Sequence, residues 1–341
     1  MGYANRMSDK NKMATQAASP AGTWTKKAPM PVAMTEVGVG EVDGKIYVIG
    51  GTEQRGENPP TGASTLNIMY DPATDRWEER APLPRALSHL GVTELGGRLY
   101  TIGGFTEDVH MYPQSLAFVY DPKIDRWSKL PNISTKRGSV AVTAHGGKIH
   151  IFGGRTSERV VKKSFPGMPD MFIGIGTVTT HEIYDPARNE WSQSEPLPGP
   201  PRDHMGIAVL DGEIHVFGGR INDFNDLLTR HDVYNPMTNT WRTASPLAGP
   251  RSAGAFTVLN GFIIYAGGEC KPGGQPATPN AFEDVSAYDP ETDTWTNLAP
   301  LPLGRHAFGA ASVAGAAYFA GGALVCGGGM STKELLVLTL P

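Results

Sequence analysis

The chain of 341 residues has only two cysteines, Cys270 and Cys326, which excludes a scaffold held together mainly by disulfides. No CxxC or zinc-finger spacing occurs. No apolar run approaches membrane-spanning length. Basic residues are not in excess: 30 Lys and Arg stand against 34 Asp and Glu, and the net charge of −4 argues against a nucleic-acid platform. No nucleophile motif or phosphate loop points to hydrolase or kinase chemistry. Residues 1–21 are polar and lack the apolar centre of a signal peptide, so a flexible N-terminal segment and a cytoplasmic protein are expected as encoded. A periplasmic or secreted location is the alternative if the natural N-terminus was replaced.

What the chain has in quantity is glycine, 42 residues, and proline, 28. Six pairs of adjacent glycines recur at a regular step, each at the end of an apolar run: Gly50-Gly51, Gly103-Gly104, Gly153-Gly154, Gly218-Gly219, Gly267-Gly268 and Gly321-Gly322. The steps are 53, 50, 65, 49 and 54 residues. A period near fifty marks one supersecondary unit copied around a ring. Residues 205–241 show its four strands. An apolar strand, Met205–Leu210, turns at Asp211-Gly212 into Glu213–Phe217, which runs into Gly218-Gly219. After a variable loop, His231–Tyr234 turns at Asn235-Pro236 into an outer strand around Trp241.

Tyr precedes Trp by seven residues in five copies, from Tyr70/Trp77 to Tyr288/Trp295. Together with the paired glycines and Asp-Pro turns, this resembles the kelch repeat over residues 22–341. The expectation is one all-β domain, a six-bladed kelch β-propeller. Its architecture is similar to that of the bacterial sialic acid mutarotases and the galactose oxidase central domain. Trp24 has no Tyr before it, and the last third strand, Glu334–Leu340, has no Trp after it. The count closes if residues 22–26 supply the outer strand of the last blade, which seals the ring and removes open edges.

In such a blade the first strand lines the channel. The loop before it and the loop after Gly-Gly share one face, and the short turns lie on the other. The varied long-loop face is where function is expected. Sixteen residues before each first Gly stand Met34, Leu87, Arg137, Arg202, Arg251 and Arg305. Fourteen before stand Glu36, His89, Ser139, His204, Ala253 and Ala307. Strand alternation puts both sets on one side. Immediately after Gly-Gly come Thr52, Phe105, Arg155, Arg220, Glu269 and Ala323. One mouth would then gather six Arg, two Glu and two His. Arg137, Arg202, Arg251, Arg305, Arg155, Arg220 and Glu269 are the expected ligand-binding residues, because guanidinium suits carboxylate or phosphate. An alternative is that the repeated Arg is structural. Glu36, His89 and His204 interrupt a small-residue position and are the catalytic candidates. His150 and His215 replace residues that are mostly Tyr elsewhere and are read as packing.

Two classes of function stay open, and with them whether the chain is an enzyme. In the first, the mouth binds an anionic small molecule such as an acidic sugar, with isomerase, mutarotase or lyase chemistry. In the second, the same face is a non-enzymatic platform for an acidic peptide, as in kelch adaptors. A metal held by Glu36, His89 and His204 is a second alternative. Neither metal nor cofactor is the expectation, since six Arg disfavour a cation. Oligomeric state stays open. The long insertion of the third copy, residues 155–180, has a basic start and an apolar end that includes Phe165, Met168, Met171 and Phe172. It is expected over the long-loop face or in a subunit contact. Cys270 and Cys326 fall on one rim of neighbouring blades, with free thiols expected over a bridge.

Overall fold

The computed structural model describes residues 21–54, 62–107, 110–164, 170–223 and 225–341. The expectations for residues 1–20, and for Phe165 and Met168, fall outside these residues.

Six four-stranded antiparallel sheets form the blades of a propeller. Blade one is Gly38–Val42, Lys45–Ile49, Asn67–Asp71 and Arg76–Glu79, from the inside outward. Blade four is Gly206–Leu210, Glu213–Phe217, His231–Asn235 and Thr240–Thr243, close to the reading from the repeat. Blade six takes Gly309–Val313, Ala316–Ala320 and Leu335–Thr339 from the C-terminal end of the chain and Thr23–Lys27 from the other end. The closing register runs from Thr23 opposite Thr339 to Lys27 opposite Leu335.

The aromatic signature of the repeat has two duties. Each Tyr hydroxyl caps the turn that follows it, as in Tyr70 to Asp75 Oδ1 and Tyr234 to Asn239 Oδ1, both at 2.7 Å. Each Trp indole N–H donates to a backbone carbonyl next to the preceding blade. Trp77 reaches Ala28 O and Trp127 reaches Ala81 O, both at 2.8 Å. Trp24 follows the same rule at the ring closure, donating to Ala299 O at 2.9 Å. The apolar core is accordingly divided into wedges between blades. Ile46, Val48 and Ile68 of blade one pack on Leu335 and Val337 of blade six, and Tyr47 and Ile49 pack on Leu99 and Phe118 of blade two. Near the axis the blades approach too closely for a side chain. A Cβ on Gly38 would stand 2.1 Å from Val92, and one on Gly91 would stand 2.2 Å from Val142.

The third-blade insertion forms a hairpin, Arg155–Lys163 with Met171–Thr177. It lies beside a second hairpin, Phe105–Glu107 with Met111–Pro113, on the long-loop face where it was expected. Phe172 and Val160 are exposed on the first and Tyr112 on the second. Cys270 and Cys326 are joined in a buried disulfide with Cα atoms 5.2 Å apart. This corrects the expectation of free thiols: the ring brings two loops of adjacent blades within bridging distance although 56 residues separate them in sequence.

Candidate functional site

Six equivalent residues encircle the axis: Glu36, His89, Ser139, His204, Ala253 and Ala307. All have left-handed backbone, with φ between 51° and 57°. Each N–H donates to the carbonyl of the equivalent residue in the preceding blade. The bonds run His89 to Glu36, Ser139 to His89, His204 to Ser139, Ala253 to His204, Ala307 to Ala253 and Glu36 to Ala307, at 2.7 to 3.1 Å. This closed girdle satisfies six backbone donors and turns six side chains toward the channel. Left-handed geometry is costly for a residue with a Cβ, of order 1 kcal/mol or more.

The reversal of backbone hand also breaks strand alternation. The repeated Arg two residues earlier therefore points away from the axis, into its own blade. Arg137 bonds Glu182 at 2.9 Å, Arg202 bonds Asp232 at 2.5 Å, and Arg305 bonds Glu334 at 2.7 Å. Arg251 donates to Ser286 Oγ at 2.7 Å and lies over the Tyr265 ring. All four are buried, and none lines the axial cavity. The expected gathering of these four at one mouth is thus corrected; they tie the first strand to the third.

Arg155, Arg220 and Glu269 do converge with the girdle. Asp203, buried beside His204, accepts from Arg155 Nε at one oxygen and from Arg220 Nε at the other, the latter at 3.4 Å. Arg220 also pairs with Glu269. Its Nη2 lies 3.3 Å from His204 Nε2 and 3.5 Å from His110 Nε2. The backbone carbonyl of Glu269 is 3.8 Å from Cys326 Sγ, so the disulfide braces this corner. His204 Nδ1 donates to Asp203 Oδ1 at 2.8 Å, and its Nε2 faces Ser139 Oγ at 3.2 Å. His89 Nε2 is 3.1 Å from Glu36 Oε2, and its Nδ1 is 3.0 Å from Ser88 Oγ.

Burial would raise the Glu36 carboxyl, but the charge and hydrogen bond of His89, with His204 and His306 behind, outweigh it and bring the group to about 2. Burial likewise opposes ionisation of Asp203, and Arg155, His204 and Arg220 overcome it, holding the carboxyl far below the usual range. Burial and then Arg220 push His204 down to about 3 against the pull of Asp203. Burial and Arg155 push His110 well below its ordinary value. At neutral pH, His110 and His204 are uncharged and three carboxylates face two guanidiniums. The arginine-rich positive well expected from the sequence is absent from this cluster.

A cavity of about 140 Å³ lies under the girdle. Glu36, His89, Ser139 and His204 form its polar end, and Val39, Val92, Val142, Phe256 and Ala310 line its walls. Every residue that follows a Gly-Gly pair is buried: Thr52, Phe105, Arg155, Arg220, Glu269 and Ala323. The wall residues Val39, Val92, Phe256 and Ala310 are partly exposed. Among the described residues, these four wall positions are thus more accessible than the residues that follow Gly-Gly.

His89, His110 and His204 offer nitrogens within 4.8 Å of one another, a spacing that suits a metal. Arg220 Nη2 already lies against two of these imidazoles, and a cation would have to displace it. Sequence reasoning missed His110, Asp203 and Ser139. His110 stands in a loop with no repeat counterpart. Asp203 had a legible signal, because the same position carries Thr35, Ser88, Gly138, Ser252 and His306 elsewhere.

Comparison with known proteins agrees with the geometry. Residues 33–84, 86–134 and 201–248 match the Kelch motif. The chain is 30% identical over 298 residues to the Kelch-like protein terF of Aspergillus terreus, covering 86% of this chain and 50% of that protein. It is 33% identical over 200 residues to Kelch-like protein 35 of Mus musculus, covering 58% of this chain and 29% of the other. The chain therefore spans half or less of the length of these curated relatives. Among solved structures, that of YjhT superposes with a TM-score of 0.70 over 92% of this chain and 96% of the other, at 15% identity, which bears on the fold alone. With its motifs, its closing strand and its girdle all in place, the chain is a kelch-repeat protein, a β-propeller of six blades.

Proposed function

We propose that the polar end of the axial cavity binds a small polar molecule and transfers protons on it. The observation that carries this reading is the pair of oriented proton-transfer groups at one cavity end. His204 has its Nδ1 fixed by Asp203 and its Nε2 turned to the girdle, while Glu36 is held ionised against His89. A base in the correct protonation state and an adjacent imidazole suit isomerisation or mutarotation of a hydroxyl- or carbonyl-bearing ligand. The charge balance favours a neutral, sugar-like ligand over an acidic one, because Asp203 and Glu269 neutralise Arg155 and Arg220. Calorimetry against neutral, uronic and sialic sugars tests it. Binding with little salt dependence, lost in Ala310→Trp, is expected. Binding confined to acidic sugars and weakened steeply by salt would restore the anion reading.

A second reading, a protein-docking platform, has its own support. Tyr112, Val160 and Phe172 are exposed on two adjoining hairpins of the long-loop face. Phe172→Asp would weaken a partner there and leave the channel ligand unaffected.

A further inference from the structure

Ser139 stands next to His204 in the girdle, and the two come from neighbouring blades. Ser139 Oγ lies 3.2 Å from His204 Nε2, and His204 Nδ1 lies 2.8 Å from a carboxylate oxygen of Asp203. These are the separations of a nucleophile, a base and the group that orients the base. Asp203 is fully buried and fixed by two guanidiniums, so it can hold one imidazole tautomer without taking the proton. Ser139 lines the cavity. The girdle does not require a hydroxyl, since Ala253 and Ala307 fill the same role with the same backbone. We propose that Ser139 is a catalytic nucleophile, with His204 as its base and Asp203 as the positioning residue, and that the channel accepts a short ester or lactone for acyl transfer.

The proposal rests on the channel being a small-molecule site and names the reacting group within it. Ser139 Oγ bonds to the carbonyl carbon, its proton passes to His204 Nε2, and the carbonyl π pair moves onto oxygen. Collapse breaks the C–O bond of the leaving alkoxide, which takes the proton from His204 and departs as alcohol. Water entering the cavity attacks the acyl-serine in the same way, releasing the acid and restoring Ser139. Arg220 Nη2, 3.3 Å from His204 Nε2, is a cationic donor beside the reacting pair. The partly exposed walls of Val92, Phe256 and Ala310 suit a short apolar acyl or alkyl group. Burial keeps His204 neutral, with its Nε2 lone pair on the Ser139 side, and Asp203 offsets part of the cost of protonating it. No linear motif announces this set because Ser139 and His204 are 65 residues apart and meet only when blades three and four pack side by side.

The test is covalent labelling of the intact protein with a fluorophosphonate, followed by peptide mass mapping. A single adduct on Ser139 is expected. It should be absent in Ser139→Ala, which copies the girdle residues of blades five and six and should keep the wild-type melting temperature. Labelling should be at least tenfold slower in His204→Gln, and p-nitrophenyl acetate hydrolysis should fall in parallel. No adduct on Ser139, or equal labelling of His204→Gln, overturns the nucleophile. Sugar binding measured on the same samples separates the two readings. Retained binding without labelling removes the acyl-transfer proposal alone, and loss of both removes the small-molecule site as well.

Discussion

Glu36 and His89 are joined twice. The His89 backbone N–H donates to the Glu36 carbonyl at 3.0 Å, and the two side chains meet at 3.1 Å. The backbone bond belongs to the repeat, because every blade makes its equivalent. The side-chain bond does not, because Ala253 and Ala307 occupy the same position without one. A carboxylate–imidazole pair at a place where alanine suffices is a feature of the site, maintained by a girdle that does not depend on it.

Glu36→Gln should therefore leave the fold intact and keep a hydrogen bond to His89 while removing the base. Sugar affinity is expected to stay within a few fold. Proton transfer, followed as exchange between isomers by NMR, should fall by roughly a hundredfold or more. Unchanged exchange rates in the variant would exclude Glu36 from the chemistry.

Arg202 makes the opposite prediction. Its guanidinium is buried against Asp232 and donates to Pro198 O at 3.1 Å, away from the cavity. Arg202→Met leaves Asp232 buried with only Arg230 beside it. The expected loss is about 3 kcal/mol of stability, read from denaturant unfolding, with ligand affinity unaltered once the protein is folded. A selective loss of affinity at unchanged stability would return Arg202 to the ligand site.

The ring, its closure by residues 23–27 and the singular Glu36, His89 and His204 were legible because each is a departure from, or a completion of, a repeated pattern. The Arg set was misplaced for one local reason. Positive φ at the girdle residue inverts the side-chain alternation that places the residue two positions earlier. Ser139 was hidden because serine suits a small-residue position. His110 was hidden because it comes from a hairpin outside the repeat. The disulfide and the Asp203 cluster depend on contacts between blades, which no spacing within one copy describes.

The Cys270–Cys326 bridge links the loops of blades five and six behind Glu269. Closing a loop of this length constrains the unfolded chain by about 2–4 kcal/mol. Cys326→Ser should lower the melting temperature by several degrees, and excess dithiothreitol should do the same to the wild type. Because Glu269 holds Arg220, the variant should also lose ligand affinity. A melting temperature equal to that of the wild type in both tests would remove the bridge from the stability of the ring.

Acid should unfold this protein through two buried histidine pairs outside the site. His150 Nδ1 meets His181 Nε2 at 3.1 Å, and His215 Nδ1 meets His231 Nε2 at 2.9 Å. Burial pushes His150 and His215 down to about 3, and His181 and His231 down to about 4. In the unfolded chain a histidine titrates near 6.5. Between these values the unfolded state binds more protons, so stability is fully present above about pH 6.5 and is lost as pH falls toward the folded values. At pH 5 each neutral histidine costs about 2 kcal/mol relative to neutral pH. The melting temperature should be flat from pH 7 to 8 and fall steeply between pH 6 and 4. Blade five carries Ile264 and Val285 where blade four carries His215 and His231. The double variant His215→Ile/His231→Val should therefore fold at neutral pH and move the acid midpoint to lower pH. An acid profile identical to that of the wild type would show that these pairs do not govern the transition.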